Sequence, residues 1–492
     1  MFSGLLRRLA FGPLGAVLAG LAVMAVAQTA AATQPDDLTE AGLEARYHAL
    51  ATATAARTGP AQRPATPALP PTDPQARLTP TDIRIPLLAM ARASEARSQA
   101  TILAAQASGG TRALSLSGGA MRLSDVLTAA DQTLPDATGP HGLRLPLIIE
   151  QDAALLIGPT QKLDLDRSAG AFVANFGTLT VTGGSIRSQG PAPVSAPDFA
   201  PFVVTTGQGI LAAENAYFEG LGFGHGPSFA GVSVVAKGLY RPATPSILRD
   251  TLVRNVRSLT FVGAGAPLVS GTIFTQMRGP SVILQGTQDA RIENSVFLGG
   301  SGRGTLQITG AAQGTLITGS DIYLPHQSGI TIESGSHGTT LHDTLVWRAH
   351  HHGVLSDASD CLTLRGLRVV AARHGGAVLR GSRGAAVIDS DFVASGHAGL
   401  MVADLPGTAE TRIEGNRFQG NRSGLETAAP GHLLLIGNDF SDQFPRFLDG
   451  DVEAQTPRLL RDLRGAAPIT LAAGGRAQAA PLTRACAPVE GQ

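Results

Sequence analysis

Short strand-like runs rich in apolar residues recur about every 24 residues between Gly304 and Gly424, and each run opens with a glycine. The glycines lie at spacings of 25, 24, 23, 23 and 25 residues, at Gly304, Gly329, Gly353, Gly376, Gly399 and Gly424. A typical run is Gly329-Ile-Thr-Ile-Glu333, and a second short run such as Leu316-Ile-Thr-Gly precedes it. Two or three short strands per repeat, with no helical segment between them, predict an all-β right-handed parallel β-helix. Stacked coils of such a solenoid hold outward side chains in columns about 4.8 Å apart, along which an extended polymer can lie.

The regular pattern occupies residues 143–444, and different patterns flank it. Residues 85–142 predict a helical and short-strand N-terminal flank, with a helix from Pro86 to Gln106 and a smaller one from Ser124 to Thr133 that Ser124 caps. Residues 28–84 are rich in Ala, Thr and Pro, which predicts a semi-extended, poorly ordered linker. Residues 445–492 are predicted to form a tail that caps the open end of the solenoid.

Residues 1–27 have the pattern of a secretory signal. Arg7 and Arg8 precede the apolar stretch from Leu14 to Val26, and Ala25-Val-Ala27 is a possible cleavage site. We therefore expect a periplasmic or secreted protein, with an uncleaved anchor as the alternative. No other segment is apolar enough to cross a membrane.

The chain has two cysteines, Cys361 and Cys486. In an oxidising compartment they can pair and fasten the C-terminal tail to the solenoid. Alternatively, Cys361 is a small core residue. Both possibilities stay open, and the spacing indicates no metal-ligand cysteines.

Composition and charge narrow the range of partners. The chain has 60 glycines, 4% aromatic residues and a formal net charge of zero, so no overall field attracts it to nucleic acid or to an acidic membrane. Any attraction for an anion has to be local. The segment from Thr344 to Ala386 supplies such a patch, because it holds six arginines against two aspartates.

Columns of outward residues supply the candidate chemistry. If Ile330 and Ile332 point inward, Glu333 points outward, and the same offset in the next two coils gives Asp357 and Arg380. Two residues before each glycine lie, in successive coils, Gln327, His351, His374 and His397. The histidines and the acid–acid–arginine column should therefore line neighbouring edges of one face.

From these columns we predict His351, His352, Arg380 and Glu333 as catalytic candidates. The predicted substrate-binding residues are Arg348, Asp357, Arg373, His374, His397, Lys237 and Tyr240. The alternative is that these are ordinary solvated surface residues, with Glu333, Asp357 and Arg380 forming an exposed ion ladder of small energetic value. The recurring Asn294, Asn416 and Asn438 are predicted to form structural hydrogen bonds at a turn. We predict no metal site and no cofactor.

The run from Leu143 to about Leu405 resembles the periplasmic mannuronan C5-epimerases of alginate biosynthesis, a β-helix family. The resemblance rests on Leu145-Pro-Leu-Ile-Ile-Glu150, Phe199-Ala-Pro-Phe-Val-Val204 and His374-Gly-Gly-Ala-Val-Leu-Arg-Gly-Ser382. It implies removal of the C5 proton of a mannuronate residue and addition of a proton from the opposite face, which gives guluronate, with an arginine offsetting the substrate carboxylate. The family's Asp-Pro-His-Asp motif is absent. Its place is taken by Val282-Ile-Leu-Gln285 in one register or Thr331-Ile-Glu-Ser334 in another, and Glu333 is the sole titratable residue there.

Three hypotheses follow. The first is an epimerase-type enzyme acting on a uronate-containing exopolysaccharide, in which Arg380 or Arg348 offsets the carboxylate and His351 or His352 is the base; a lyase would share the proton abstraction. The second is a non-catalytic protein that binds and guides acidic polysaccharide, alone or with other periplasmic export proteins. The third is a structural or assembly role.

Overall fold

The computed structural model describes residues 39–61, 70–93, 99–106, 110–224, 226–236, 242, 244–333, 335–475 and 478–479. Three long sheets run the length of the molecule, and the chain visits them in the order 1, 2, 3 in each coil, so that neighbouring strands in a sheet come from successive coils. Almost all of the strand pairs are parallel. This is the right-handed parallel β-helix that the repeat predicted.

The strands of the three sheets are short, as expected for coils of about 24 residues. Sheet 1 contains Arg77–Asp82, Arg112–Ser117, Leu147–Ile149, Val173–Asn175, Val203–Thr206, Gly231–Val235, Ser258–Val262, Val282–Gln285, Gly304–Thr309, Ser328–Ile332, Val354–Asp357, Ala377–Arg380, Ala398–Ala403, Ser423–Ala428 and Arg446–Gly450. Sheet 2 contains Gly119–Arg122, Ala153–Ile157, Thr178–Thr182, Ile210–Glu214, Ile247–Arg249, Leu268–Ser270, Arg291–Glu293, Leu316–Thr318, Thr340–His342, Thr363–Arg365, Ala386–Ile388, Glu410–Glu414, His432–Ile436, Ile469–Ala472 and Gln478–Ala479. Sheet 3 contains Thr138–Gly139, Gly142–Leu143, Lys162–Asp166, Ser185–Gln189, Tyr217–Glu219, Leu252–Arg254, Ile273–Thr275, Val296–Leu298, Asp321–Tyr323, Leu345–Trp347, Arg368–Val370, Asp391–Val393 and Arg417–Gln419.

The repeating glycines open strands of sheet 1 where successive coils come closest. A Cβ on Gly353 would lie 2.5 Å from the carbonyl oxygen of Gly376, and a Cβ on Gly376 would lie 2.4 Å from that of Gly399. Real Cβ atoms do not approach a carbonyl so closely, so a side chain would push the coils apart. The period in the sequence therefore marks a column of close backbone contacts.

The interior is filled by columns of apolar side chains that stack from coil to coil. Phe392 and Phe418 are parallel with ring centroids 5.4 Å apart, and Phe418 and Phe440 follow at 4.4 Å. Polar side chains are buried in the interior where they form hydrogen bonds with groups at the turns. The buried Asn416 donates to the Val387 carbonyl and to Oδ1 of Asn438, which confirms a structural role for these two asparagines.

The N-terminal residues differ from the predicted linker. A helix, α1 (Glu40–Ala55), packs along the outer face of sheet 3, and the strand Arg77–Asp82 pairs antiparallel with Arg112–Ser117 at the first coil. The linker prediction over 28–84 was wrong for these parts. Although the segment is rich in Ala, Thr and Pro, Leu43 and Leu50 are buried against the apolar outer face of sheet 3. Residues before Thr39, including the predicted signal, lie outside the described residues.

The flanking helices also correct the sequence analysis. The predicted helix from Pro86 to Gln106 is two helices, α2 (Arg84–Ala93) and α3 (Gln99–Ala105). The next helix, α4 (Leu123–Thr133), begins one residue before Ser124, so Arg122 occupies the cap position and Ser124 does not cap it. Strands that pair in parallel extend to both sides of 143–444, from Arg112 to Gly450.

The C-terminal residues close the solenoid. After the last sheet 1 strand come a short helix, α5 (Thr456–Leu459), and the strand Ile469–Ala472, which pairs antiparallel with His432–Ile436. Cys361 is disulfide-bonded, which favours the first of its two predicted roles; Cys486 lies outside the described residues. None of the described helices combines the length and apolar character needed to cross a membrane.

Candidate functional site

Sheet 1 has an outer face that is open along its C-terminal half. Over its N-terminal half this face is covered by a cluster of buried aromatic side chains, among them Phe199, Phe202, Phe223 and Phe229. From the strand Val282–Gln285 onward, residues at outward positions such as Ile283, Gln307 and Leu355 are partly exposed. An extended ligand can therefore reach the face from about residue 282 to residue 428.

Three predicted histidines lie one above another at the edge where the chain enters sheet 1 from sheet 3. The backbone N–H of His374 donates to the carbonyl of His351 at 3.0 Å, and that of His397 donates to the carbonyl of His374 at 3.0 Å. The rings of His351 and His374 are 4.5 Å apart. We call His351, His374 and His397 the histidine column; it confirms the geometry expected from the glycine register.

His352 adds a fourth imidazole, which lies half-buried beside the column. Its ring lies 5.0 Å from that of His351, and its Nδ1 accepts a hydrogen bond from the backbone N–H of Gly375 at 3.1 Å. Burial, followed by repulsion from the neighbouring histidines, lowers the pKa of His352 from 6.5 to about 4. The pKa of His374 is lowered too, chiefly by desolvation and then by His351 and Arg373. His352 is therefore neutral near pH 7, with its proton on Nε2.

A small pocket of about 180 Å³ opens beside these rings. His352, His374 and His397 form its polar side, and Val378 and Met401 supply apolar surface. Glu426 lines the far end, where its Oε2 lies 2.8 Å from Nδ1 of His397. The pocket thus joins imidazoles, a carboxylate and an apolar wall, a combination suited to holding a sugar ring.

Sequence reasoning missed Glu426 and Arg422, although the signal was present. Arg422 lies two residues before Gly424, and the same offset from the other glycines identified the histidines. Glu426 lies two residues after Gly424, at an outward position of the strand. The histidine column therefore continues into Arg422, whose side chain is exposed.

The predicted acid–acid–arginine column lies on the same face, at the opposite ends of the strands. Asp357 is paired in register with Arg380, and Glu333 occupies the equivalent position one coil earlier. The ion ladder that was the alternative interpretation of these three residues does not form between them. Arg380 lies 3.4 Å from Asp404, and Glu333 lies 3.5 Å from Arg303, while Asp357 is exposed. Strand register therefore places Arg380 and Glu333 at the ends of the sheet 1 strands opposite the histidines, and the Arg303 side chain reaches Glu333 from the histidine edge.

The remaining predicted residues fall in different places. Arg348 bonds to Glu40 of α1 at 2.8 Å through Nε and lies 3.5 Å from Glu44, which raises its pKa and directs it away from the open face. Arg373 is exposed and directly precedes His374. Lys237 and Tyr240 lie outside the described residues.

The imidazoles do not make a metal centre. Within the described ranges, no group of three or more His, Cys, Asp or Glu side chains is arranged to hold a metal ion. The Nδ1 of His352 is already occupied by the Gly375 N–H. The arrangement is better suited to proton transfer and hydrogen bonding than to metal coordination.

The fold and this face define a right-handed parallel β-helix protein in which one sheet is open to solvent along half of its length. A family model described as a right-handed β-helix region matches residues 259–418. Among solved structures, the periplasmic alginate epimerase AlgG is 17% identical with a TM-score of 0.52, covering 79% of this chain and 99% of that chain. A point mutant of AlgG is 16% identical with a TM-score of 0.54 at the same coverage. No curated protein matches the sequence. At these identities the likeness establishes the fold, and function has to be argued from the site.

Proposed function

We propose that the protein acts in the periplasm or outside the cell on a uronate-containing polysaccharide, by proton abstraction at C5. The observation that carries this proposal is the column of three histidines from successive coils beside a pocket on an open β-helix face. The likeness of the fold to a periplasmic alginate epimerase supports the class of substrate. The polymer lies along the columns of sheet 1, which brings one sugar ring into the pocket.

The residues at this edge suit the roles that the reaction requires. His351 is the proposed base, because its side chain is exposed to solvent. The Nε2–H of the neutral His352 donates a hydrogen bond to a substrate oxygen. Arg373 offsets the uronate carboxylate and so acidifies the C5 hydrogen. It is better placed than Arg348, which α1 engages, or Arg380, which lies at the other edge. The C5 proton passes from His351 to solvent, and a different proton that comes from solvent is added to C5 from the opposite face, giving the epimer.

A second candidate is a binding or guide protein without catalytic activity. The sheet 1 strands that correspond to the Asp-Pro-His-Asp motif of the family that the sequence resembles, Val282–Gln285 and Ser328–Ile332, carry no histidine. A protein that retained the polymer-binding face but lost the catalytic activity would lack this histidine. Glu333, Asp357 and Arg380 would then serve as outer contacts of the bound polymer.

The two candidates are distinguished by incubating the protein with polymannuronate in deuterated water. Deuterium at C5 together with new guluronate indicates epimerisation, and unsaturated chain ends indicate a lyase. Binding without either product supports the guide protein. Absence of salt-sensitive binding to any acidic polysaccharide would refute both.

The proposed base makes a specific prediction. His351→Ala should reduce turnover by about 10²- to 10⁴-fold, the usual contribution of a general base, while polymer affinity changes little. Arg365→Ala is a matched surface control, because Arg365 is an exposed arginine on sheet 2. If His351→Ala turns over polymannuronate like the parent, His351 is not the base.

A further inference from the structure

The turns that lead from sheet 3 into sheet 1 differ in charge from those that leave sheet 1. In the six successive turns 299–303, 324–327, 348–353, 371–376, 394–397 and 420–422 there is no Asp or Glu, although the chain as a whole is neutral. The turns on the other side of sheet 1 contain Asp289, Glu333, Asp360 and Asp404. The turns that enter sheet 1 thus carry histidine and arginine without any acidic residue, whereas the opposite edge carries both signs of charge, including Arg380 and Arg383.

This edge contains a single column that is longer than the histidine column. Strand register places Arg303 level with Gln327, because Gly304 pairs with Ser328, and His351 follows through the bond from its N–H to the Gln327 carbonyl. At the other end, Ala398 pairs with Ser423, which places His397 level with Arg422. The column reads Arg303, Gln327, His351, His374, His397 and Arg422. Five steps of about 4.8 Å make it about 24 Å long.

Arginines therefore bracket the histidines at both ends. The Arg303 side chain is 77% exposed, and its contact with Glu333 is long, at 3.5 Å. Such an exposed pair is weak and is easily exchanged for a ligand carboxylate. Arg422 is exposed and forms no ion pair within the part of the chain that the structure describes. The centre is different in character, because His352 and His374 have lowered pKa values.

We propose that Arg303 and Arg422 are outer anchor sites for a polyanionic chain that runs parallel to the solenoid axis and spans six coils. Each guanidinium binds a carboxylate of the ligand, and the histidines face the part of the ligand between the anchors. Short ligands reach the histidine pocket alone, and ligands long enough to span the column bind both arginines. The inference rests on the proposed function, since it takes the same polymer as ligand, but it does not require catalysis.

The test measures binding of fluorescent oligomannuronates of increasing length to the full chain at low salt. For the parent, affinity should rise with length until the oligomer spans the column and then level off. Arg303→Gln and Arg422→Gln should each weaken binding of long oligomers roughly fivefold and leave short ones unchanged, and the double variant should lose about the product of the two effects. Arg365→Gln removes one charge from the exposed face of sheet 2 and should change neither affinity.

The outcomes separate this inference from the proposed function. If the parent binds long oligomers but both arginine variants bind them as well as Arg365→Gln does, the anchors are wrong while the proposed function stands. If the arginine variants weaken short and long oligomers alike, the axial arrangement is wrong. If the parent binds no acidic oligomer at low salt, both the proposed function and this inference are refuted.

Discussion

At the scale of single residues, the histidine cluster shows how position changes the chemistry of one side-chain type. His351 and His352 are neighbours in the sequence, yet His352 is half-buried and accepts a hydrogen bond from the Gly375 N–H while His351 is exposed. The sequence predicted the cluster because the glycine register identifies the outward column. It did not predict which ring is desolvated, because that depends on packing between coils.

The lowered pKa of His352 predicts an acid-sensitive fold. As the pH falls below 6.5, the unfolded chain takes up a proton at this residue, whereas the folded chain does so only near pH 4. The free energy of unfolding should therefore decrease between these values, by at most about 3 kcal/mol from this group. Urea denaturation at several pH values measures the slope.

The matched variants for this prediction are His352→Asn and His48→Asn. Asparagine at 352 retains an acceptor for the Gly375 N–H but does not titrate, so the slope should become shallower. His48 is 68% exposed on α1, and its replacement should leave the slope as it is. Equal slopes in all three proteins would contradict the assignment.

At the scale of elements, the turns into sheet 1 bring the site together. Each begins after a sheet 3 strand and ends at a glycine that allows the next coil to pass closely. The sequence showed these elements well, since the glycines recur at nearly constant spacing. It did not show α1, because a helix that packs by one face on an outer sheet leaves no mark on the repeat, and the prolines at 60–80 dominate the composition of that region.

The glycine column makes a prediction about stability. Gly376→Ala should destabilise the protein by at least about 2 kcal/mol, because the new Cβ meets the Gly399 carbonyl at 2.4 Å and backbone cannot yield easily. Gly407→Ala is the control, because no atom lies within 4 Å of the Cβ position there, and it should change stability by less than about 0.5 kcal/mol. Chemical denaturation compares the two. Equal effects would mean that the coils have room to separate.

At the scale of the whole molecule, α1 connects coils that are far apart in the solenoid. Near its start Glu40 holds Arg348, in its middle Arg46 holds Asp321, and at its end the Thr54 carbonyl accepts from Arg254. Stability of a solenoid is otherwise a sum of contacts between adjacent coils.

The positions of the two polar columns on sheet 1 are also set by the molecule as a whole. The sequence placed both columns on one face, but it did not show that Arg380 contacts Asp404 while the histidine edge is completed by Arg422 and Glu426.

Removing the central contact of α1 should destabilise the fold as a whole. Asp321 is almost completely buried, which raises its pKa, and its Oδ2 lies 2.5 Å from Nη2 of Arg46. Arg46→Ala leaves this carboxylate without its partner and should cost about 3 kcal/mol or more. Thermal unfolding should show a lower Tm, and adding Asp321→Asn should restore part of the loss. If the double variant is no more stable than Arg46→Ala, the buried charge is not the cause.

Because the glycines keep a constant register, one coil could be removed from the solenoid without changing how the remaining coils pair. Gly376 and Gly399 occupy equivalent positions, so joining residue 375 directly to residue 399 would excise one complete turn and bring Val354 against Leu400 in the interior. The product would be a shorter spiral with the same cross-section. The reach of the molecule along a bound polymer is thus set by how many turns the gene encodes, and it can change in whole-turn increments of about 4.8 Å without a new fold.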